Sequence, residues 1–311
     1  MARVSESAFL SSDGRTSLYC CEYLPECEPV GIVQIVHGLA EFCGRYDNFA
    51  RFLTDNGYIV VMHDQLGHGK SICGKDSEDF FAEKDGWNIS VQDIRILHNM
   101  TLDRHPGKPY FLFGHSMGSF QVRTFLIRFR TGIDGAVISG TGQQNPVLIK
   151  SGKMLCSLEI RRHGAHYKSK QLLSMAFGNY NKKITDPRTA YDWLSRDEAV
   201  VDAYVANPLT GFDTTAGLMR DMMEGIDYIS DPKNVARMKK DLPVMFVSGD
   251  CDPVGEYGKG VIRSYKSFLK AGMTDVTMKL YHNGRHEMLN ELNNEEVYQD
   301  ILSWMNSKAG R

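Results

Sequence analysis

Gly114-His115-Ser116-Met117-Gly118 sets one hydroxyl between two glycines, directly after the apolar run Phe111-Leu112-Phe113. A serine hydroxyl is a weak nucleophile unless a base takes its proton. The pentapeptide therefore asks for a histidine further along the chain and for an acid to orient it, in the order serine, acid, histidine. His286 lies in Tyr281-His282-Asn283-Gly284-Arg285-His286-Glu287, between the last expected strand and the last expected helix. A loop at the edge of a sheet can reach Ser116, whereas a residue on or beside a strand, such as His282, cannot. His37, His63 and His115 adjoin turns and are expected to pack or hydrogen-bond locally. The acid should leave the strand before His286, where Asp250 and Asp252 both stand. Local chemistry does not separate the two, and Asp250 could instead hold its loop through backbone N–H groups.

G-x-S-x-G arises easily by chance in a chain with 29 glycines, so its setting has to decide. Short runs rich in β-branched residues and apolar on both faces recur after Pro29: GIVQIVHG, GYIVVMHD, KPYFLFGHS, DGAVISG, LPVMFVSGD and VTMKLYHNG. Strands buried under helices on both sides of a parallel sheet read this way. Helical patterns lie between most of them, at Tyr46–Asn56, Ile89–Arg104, Met117–Arg130, Lys259–Ala271 and Glu291–Ser307. Before Pro29, SAFLSSDGRTSLYCCEYL reads as an antiparallel hairpin turning at Ser12-Asp13-Gly14. Ser116 thus falls at a sharp strand-to-helix junction, a nucleophile elbow. Its backbone is expected at φ > 0, with Gly114 and Gly118 supplying room. The N–H of Met117 and the N–H of Leu39, in the loop after the first long strand, are the expected oxyanion donors. Gly38 lets that loop approach closely.

Strand and helix stop alternating between Gly142 and about Lys240. The stretch is helical and too long for a loop in a compact domain. The expected fold class is α/β: a mostly parallel, eight-stranded sheet with helices on both faces. Residues 1–141 and 241–311 form the core, and residues 142–240 form an inserted helical cap. Leu172-Leu173, Met175-Ala176-Phe177 and Met222-Met223 are expected to be cap core rather than an acyl tunnel.

Composition removes several other classes. Hydrophobic residues make up 42% of the 311, charged residues 24%, and the formal charge is −2, so no global field recruits nucleic acid. No apolar run approaches the roughly 18 residues of a membrane span. The N-terminus lacks the apolar region of a secretory signal, and a cytoplasmic protein is expected. The seven cysteines show no C-x-x-C spacing and read as free thiols. Gly67-His68-Gly69-Lys70-Ser71 suggests a phosphate loop, but Asp64 stands where that pattern needs glycine. Asp64 is expected to brace a turn instead. His286-Glu287-Met288-Leu289-Asn290 suggests a zinc protease, but Asn290 replaces the second histidine. Neither a metal nor a cofactor is expected. Arg161–Lys168 is a short basic patch, normally a solvated face, with transient contact to a membrane surface as the lesser reading.

Taken together, these residues resemble the α/β-hydrolase superfamily, and within it the monoglyceride lipase and lysophospholipase-like branch. HGLAEFCGRY at His37–Tyr46 resembles H-G-x-x-E-H-x-x-R-Y. HDQLGHGKS resembles D-x-x-G-H-G-x-S, and WLSRDEAVVDAYVANPLTGF resembles the cap stretch ending in D-P-L. The resemblance implies Ser116 as nucleophile, His286 as base, and Asp252, three residues after Gly249, as the acid. It also implies the Leu39 and Met117 amides as oxyanion donors, with Glu41, Arg45 and Tyr46 anchoring the first loop. Phe42 stands where the branch has histidine, and Asn207 replaces the aspartate before Pro208-Leu209. Phe42 and His115 are the expected substrate contacts. The implied substrates are monoacylglycerols, lysophospholipids and small carboxylic esters. An aminopeptidase would need cap acids such as Glu159, Asp202 and Glu224 to bind an α-ammonium group. A non-catalytic ligand receptor would be expected to lack a triad member.

Overall fold

The structure is a computed structural model that describes residues 3–310. Eight strands form one sheet in the order β1-β2-β4-β3-β5-β6-β7-β8. β1 (Arg3–Leu10) and β2 (Ser17–Leu24) form the expected antiparallel hairpin, and β2 pairs antiparallel with β4 (Tyr58–His63). From β4 onward the pairing is parallel, through β3 (Gly31–Val36), β5 (Tyr110–His115), β6 (Gly135–Ser139), β7 (Val244–Gly249) and β8 (Val276–Tyr281). Every residue of β3, β4, β5, β6 and β7 is buried, which is why these runs carry no polar alternation. β8 departs from that expectation. It is the edge strand, and its central residues are exposed or half-buried.

Helices cover both faces. α1 (Asp47–Asp55) and α10 (Asn294–Lys308) pack one apolar layer, in which Phe49, Leu53, Val297 and Ile301 meet Phe113 and Val247. α2 (Gly86–Arg104), α3 (Met117–Arg128) and α9 (Lys259–Lys270) cover the other face, where Val91, Val122 and Phe268 meet Leu112 and Phe246. Each large side chain buried this way contributes about 2–3 kcal/mol. The adjacent Cys20 and Cys21 fall in opposite layers, as residues alternating along β2 must.

The chain leaves β3 for β4 on one side and returns to β5 on the other. Ligands bind at such a reversal, beyond the carboxyl ends of the strands. Here it sets the loop after β3 beside the junction after β5.

Between β6 and β7 the described chain forms α4 (Pro146–His163), α5 (Lys170–Phe177), α6 (Glu198–Ala206), α7 (Ala216–Ser230) and α8 (Pro232–Val235). This insertion is not a separate layer throughout. α7 packs on α2 and α3, and a Cβ at Gly225 would strike the Trp87 indole. Leu218, Met219 and Ile226 belong to the same apolar cluster as Val91 and Val122.

Candidate active site

Ser116 caps α3 with φ 52° and ψ −120°, a backbone region that side chains avoid. The surroundings hold it there. Its N–H donates to Ser139 O at 3.0 Å, and its carbonyl accepts from Ser119 N at 2.9 Å and Ser119 Oγ at 2.5 Å. A Cβ at Gly118 would collide with the carbonyl oxygens of Val36 and His37, and one at Gly114 would lie 2.5 Å from Gly118 O. The two glycines are therefore what lets α3 start so close to β3.

The loops after β7 and β8 bring the acid and the imidazole together. His286 Nδ1 and Asp252 Oδ2 are 3.0 Å apart, and both residues are buried. The carboxylate can only accept, so Nδ1 carries the proton and the Nε2 lone pair is left free. Asp252 also accepts from Val254 N at 2.8 Å and from Ser248 Oγ at 3.3 Å. Burial opposes protonation of His286, but the adjacent Asp252 carboxylate outweighs it and holds the imidazole above its ordinary 6.5. Asp250 does the other job open to it, accepting from Asn283 N at 2.8 Å and pairing with His282 Nδ1 at 3.0 Å on an exposed edge.

The loop after β3 is anchored through Glu41. Its Oε1 accepts from Gly38 N at 2.5 Å and from Tyr46 OH at 2.7 Å, and its Oε2 accepts from Arg45 Nη1 at 2.8 Å. Among the described residues, neither the Leu39 nor the Met117 amide donates to another protein group. His37 supports the loop from below, donating from Nδ1 to Gly38 O at 2.8 Å and accepting from Gln65 N at 3.0 Å. Asp64 braces the turn after β4, accepting from Cys43 N and Lys70 N at 2.8 Å each.

Two partners escaped the sequence reading. Glu287 receives Arg45 in a fork, at 2.5 and 2.7 Å, so one guanidinium ties the β3 loop to the residue after His286. Burial would raise the Glu287 carboxyl, but Arg45 outweighs it and the group stays well below its usual range. Adjacency to His286 was the available signal. The second is a strap from the insertion. His286 N donates to Trp193 O at 3.3 Å, Glu287 N to Leu194 O at 2.8 Å, and Arg285 Nη1 to Asp192 O and Ser195 O at 2.6 and 2.8 Å. The acceptors are backbone carbonyls, so no residue type marks them in advance. The Trp193 ring also lies 5.0 Å from the imidazole.

Ser116, Met117, Leu39, His115 and His286 line one cavity of about 690 Å³. The His115 ring lies 4.6 Å from that of His286, tilted 49° to it, and burial together with that neighbour lowers its imidazole to about 4. Phe42 is not in the lining. Its side chain packs over Gly44 and Gly69, away from the cavity. Leu172, Leu173, Met175, Ala176, Phe177, Met222 and Met223 line it, although Leu172 and Met222 are also buried in the apolar core, as expected, with Ala176, Phe177 and Met223 packed against it. α4, α5 and α7 leave a gap between them, and these side chains face that gap. Glu159, Asp202 and Glu224 are absent from the lining, and Asp202 is exposed and bound to Arg188.

Residues 27–293 match the Hydrolase_4 model, described as serine aminopeptidase, S33. The chain belongs to that family. It is 28% identical to a monoacylglycerol lipase of Mycolicibacterium smegmatis, over 97% of this chain and 96% of that protein. It is 27% identical to the human monoglyceride lipase, over 96% of this chain and 90% of that one. The fold superimposes with a TM-score of 0.92 on a thermostable carboxyl esterase from Bacillus coagulans in complex with glycerol, at 27% identity and 99% coverage of both chains. The α/β-hydrolase fold of this S33 member is thus shared across its full length.

Proposed function

We propose that this S33-family chain hydrolyses carboxylic esters through an acyl-enzyme, with Ser116 as nucleophile, His286 as base and Asp252 as its orienting acid. The buried Asp252–His286 hydrogen bond carries the reading, because it leaves the Nε2 lone pair available in the cavity that Ser116 also lines. His286 takes the Ser116 proton as Oγ attacks the carbonyl carbon. The tetrahedral oxyanion is met by the Leu39 and Met117 amides, each donor worth roughly a hundredfold or more in rate. The imidazolium then protonates the departing alcohol and the C–O bond breaks. Water, deprotonated by His286, releases the acid and restores Ser116.

Residues 142–240 act as the lid of this site. Its apolar lining, Leu172, Leu173, Met175, Phe177, Met222 and Met223, suits an acyl chain, and the lipase relatives point the same way. Monoacylglycerols and lysophospholipids are the substrates proposed. The cap acids expected to serve an aminopeptidase, Glu159, Asp202 and Glu224, do not line the cavity, so that reading would have to use Asp213 or Glu256, which do. A panel of glycerol monoesters of graded chain length, lysophosphatidylcholine and an amino-acid anilide tests the assignment, alongside fluorophosphonate labelling. Labelling should disappear in Ser116→Ala, and a monoester should turn over fastest. Faster cleavage of the anilide would defeat the lipase reading, and unchanged labelling of Ser116→Ala would defeat the nucleophile.

A further inference from the structure

Ala40, directly after Leu39, holds a φ of 53°. A β-carbon disfavours that conformation, and it persists only where the surroundings over-determine it. Both of its backbone polar groups are pinned. The N–H donates to His68 Nε2 at 3.3 Å, while His68 Nδ1 donates to Leu66 O at 2.9 Å and so keeps the lone pair on Nε2. The carbonyl accepts twice, from Gly211 N at 3.0 Å and from the Tyr204 hydroxyl at 3.1 Å. Both of those donors belong to the insertion, not to the sheet domain.

The donors are themselves held. The Arg45 guanidinium lies 4.8 Å over the Tyr204 ring, and the Tyr191 ring packs tilted against it at 5.0 Å. Tyr191 OH donates to Gly211 O at 2.7 Å. The Leu39 amide therefore sits between two fixed points: Gly38, tied to Glu41, and Ala40, tied to the insertion.

We propose that the insertion builds the oxyanion hole as well as covering it: Tyr204 and Gly211 are positioning residues whose grip on the Ala40 carbonyl aims the Leu39 amide into the cavity. The inference rests on the ester-hydrolase reading above. Displacing the segment around residues 204–211 then stops the chemical step itself, not just substrate binding. Lid seating and assembly of the hole become one event.

Tyr204→Phe removes the hydroxyl and keeps the ring. On p-nitrophenyl butyrate, kcat should fall about tenfold with KM changed less than about twofold, since the lost support is for the transition state. Affinity for a trifluoromethyl ketone, whose adduct carries the oxyanion, should fall by the same factor. Glycine adopts positive φ without strain, so adding Ala40→Gly to Tyr204→Phe should restore part of the loss. An unchanged kcat, or a loss confined to KM, overturns the proposal. So does a kcat loss that Ala40→Gly leaves untouched, because packing damage at Tyr204 cannot be repaired at residue 40. The two readings fail differently. Full turnover by Ser116→Ala defeats the functional reading, whereas an inactive Ser116→Ala beside an unimpaired Tyr204→Phe defeats only the clamp.

Discussion

His286 and His68 are both buried imidazoles facing an aspartate, yet their proton affinities are shifted in opposite directions. His286 Nδ1 meets Asp252 Oδ2 at 3.0 Å, and the imidazole is held above its ordinary value. His68 Nε2 stands 3.8 Å from Asp79 Oδ1, beyond hydrogen-bond reach. Burial and the neighbouring His37 push His68 down to about 3. Burial pushes Asp79 up to about 8, although it accepts from Thr215 N at 2.8 Å, and among the described residues its Oδ1 has no partner. Burial alone discharges both members of a pair. A hydrogen bond of good geometry, with further donors on the carboxylate, keeps the charged form stable. One pair is thus set up to exchange a proton, and the other to hold a loop while neutral.

The sharpest way to break this contrast is Asp252→Asn, which should lower kcat by roughly a thousandfold or more. The base must be neutral to work, so the acid limb of the wild-type kcat/KM profile should lie above pH 6.5. In Asp252→Asn that limb should move down, because the charge that supports the imidazolium is gone. A pH–rate series on both proteins reads the two effects together, and an unmoved limb would mean that Asp252 does not set the His286 proton affinity.

Asp79→Asn should act on stability rather than rate. The folded carboxyl is raised from 3.8 to about 8, so the folded state keeps a proton that the unfolded chain releases. Stability attributable to Asp79 is therefore present at low pH and lost as pH rises through that window. Melting temperatures between about pH 5 and pH 8 should fall less in Asp79→Asn than in wild type, with kcat at neutral pH within about threefold. Parallel melting curves would show that Asp79 is ionised in the folded protein.

The smallest effect is expected at Phe42→His. The side chain lies outside the cavity, over Gly44 and Gly69. KM for a glycerol monoester should change less than about twofold. A larger change would place residue 42 against substrate after all.

The strands buried on both faces were legible because such strands are apolar on both sides, with polar residues as isolated exceptions such as Gln34 and Ser139. β8 read the same way, since edge position depends on which neighbour a strand lacks, and composition does not record that. The apolar character of the insertion's residues was legible, but core, cavity wall and exposed surface, where Met175 lies, look alike in sequence until the gap between helices is known. Phe42 was assigned by its place in a motif, and the packing of its ring turned it elsewhere.

Local order along the chain is enough to specify the elbow, because a strand followed by Gly-x-Ser-x-Gly and an apolar helix has few ways to turn. It also specifies that an acid and a histidine follow on loops after later strands. Long-range contact alone could settle the rest: that Glu287 shares Arg45 with Glu41, that Trp193 and Leu194 strap the histidine loop, and that Tyr204 and Gly211 grip Ala40. Those partners are a guanidinium used twice, one tyrosine hydroxyl, and backbone groups that every residue carries. Their identity lies in where the fold places them, and no spacing along the chain encodes it.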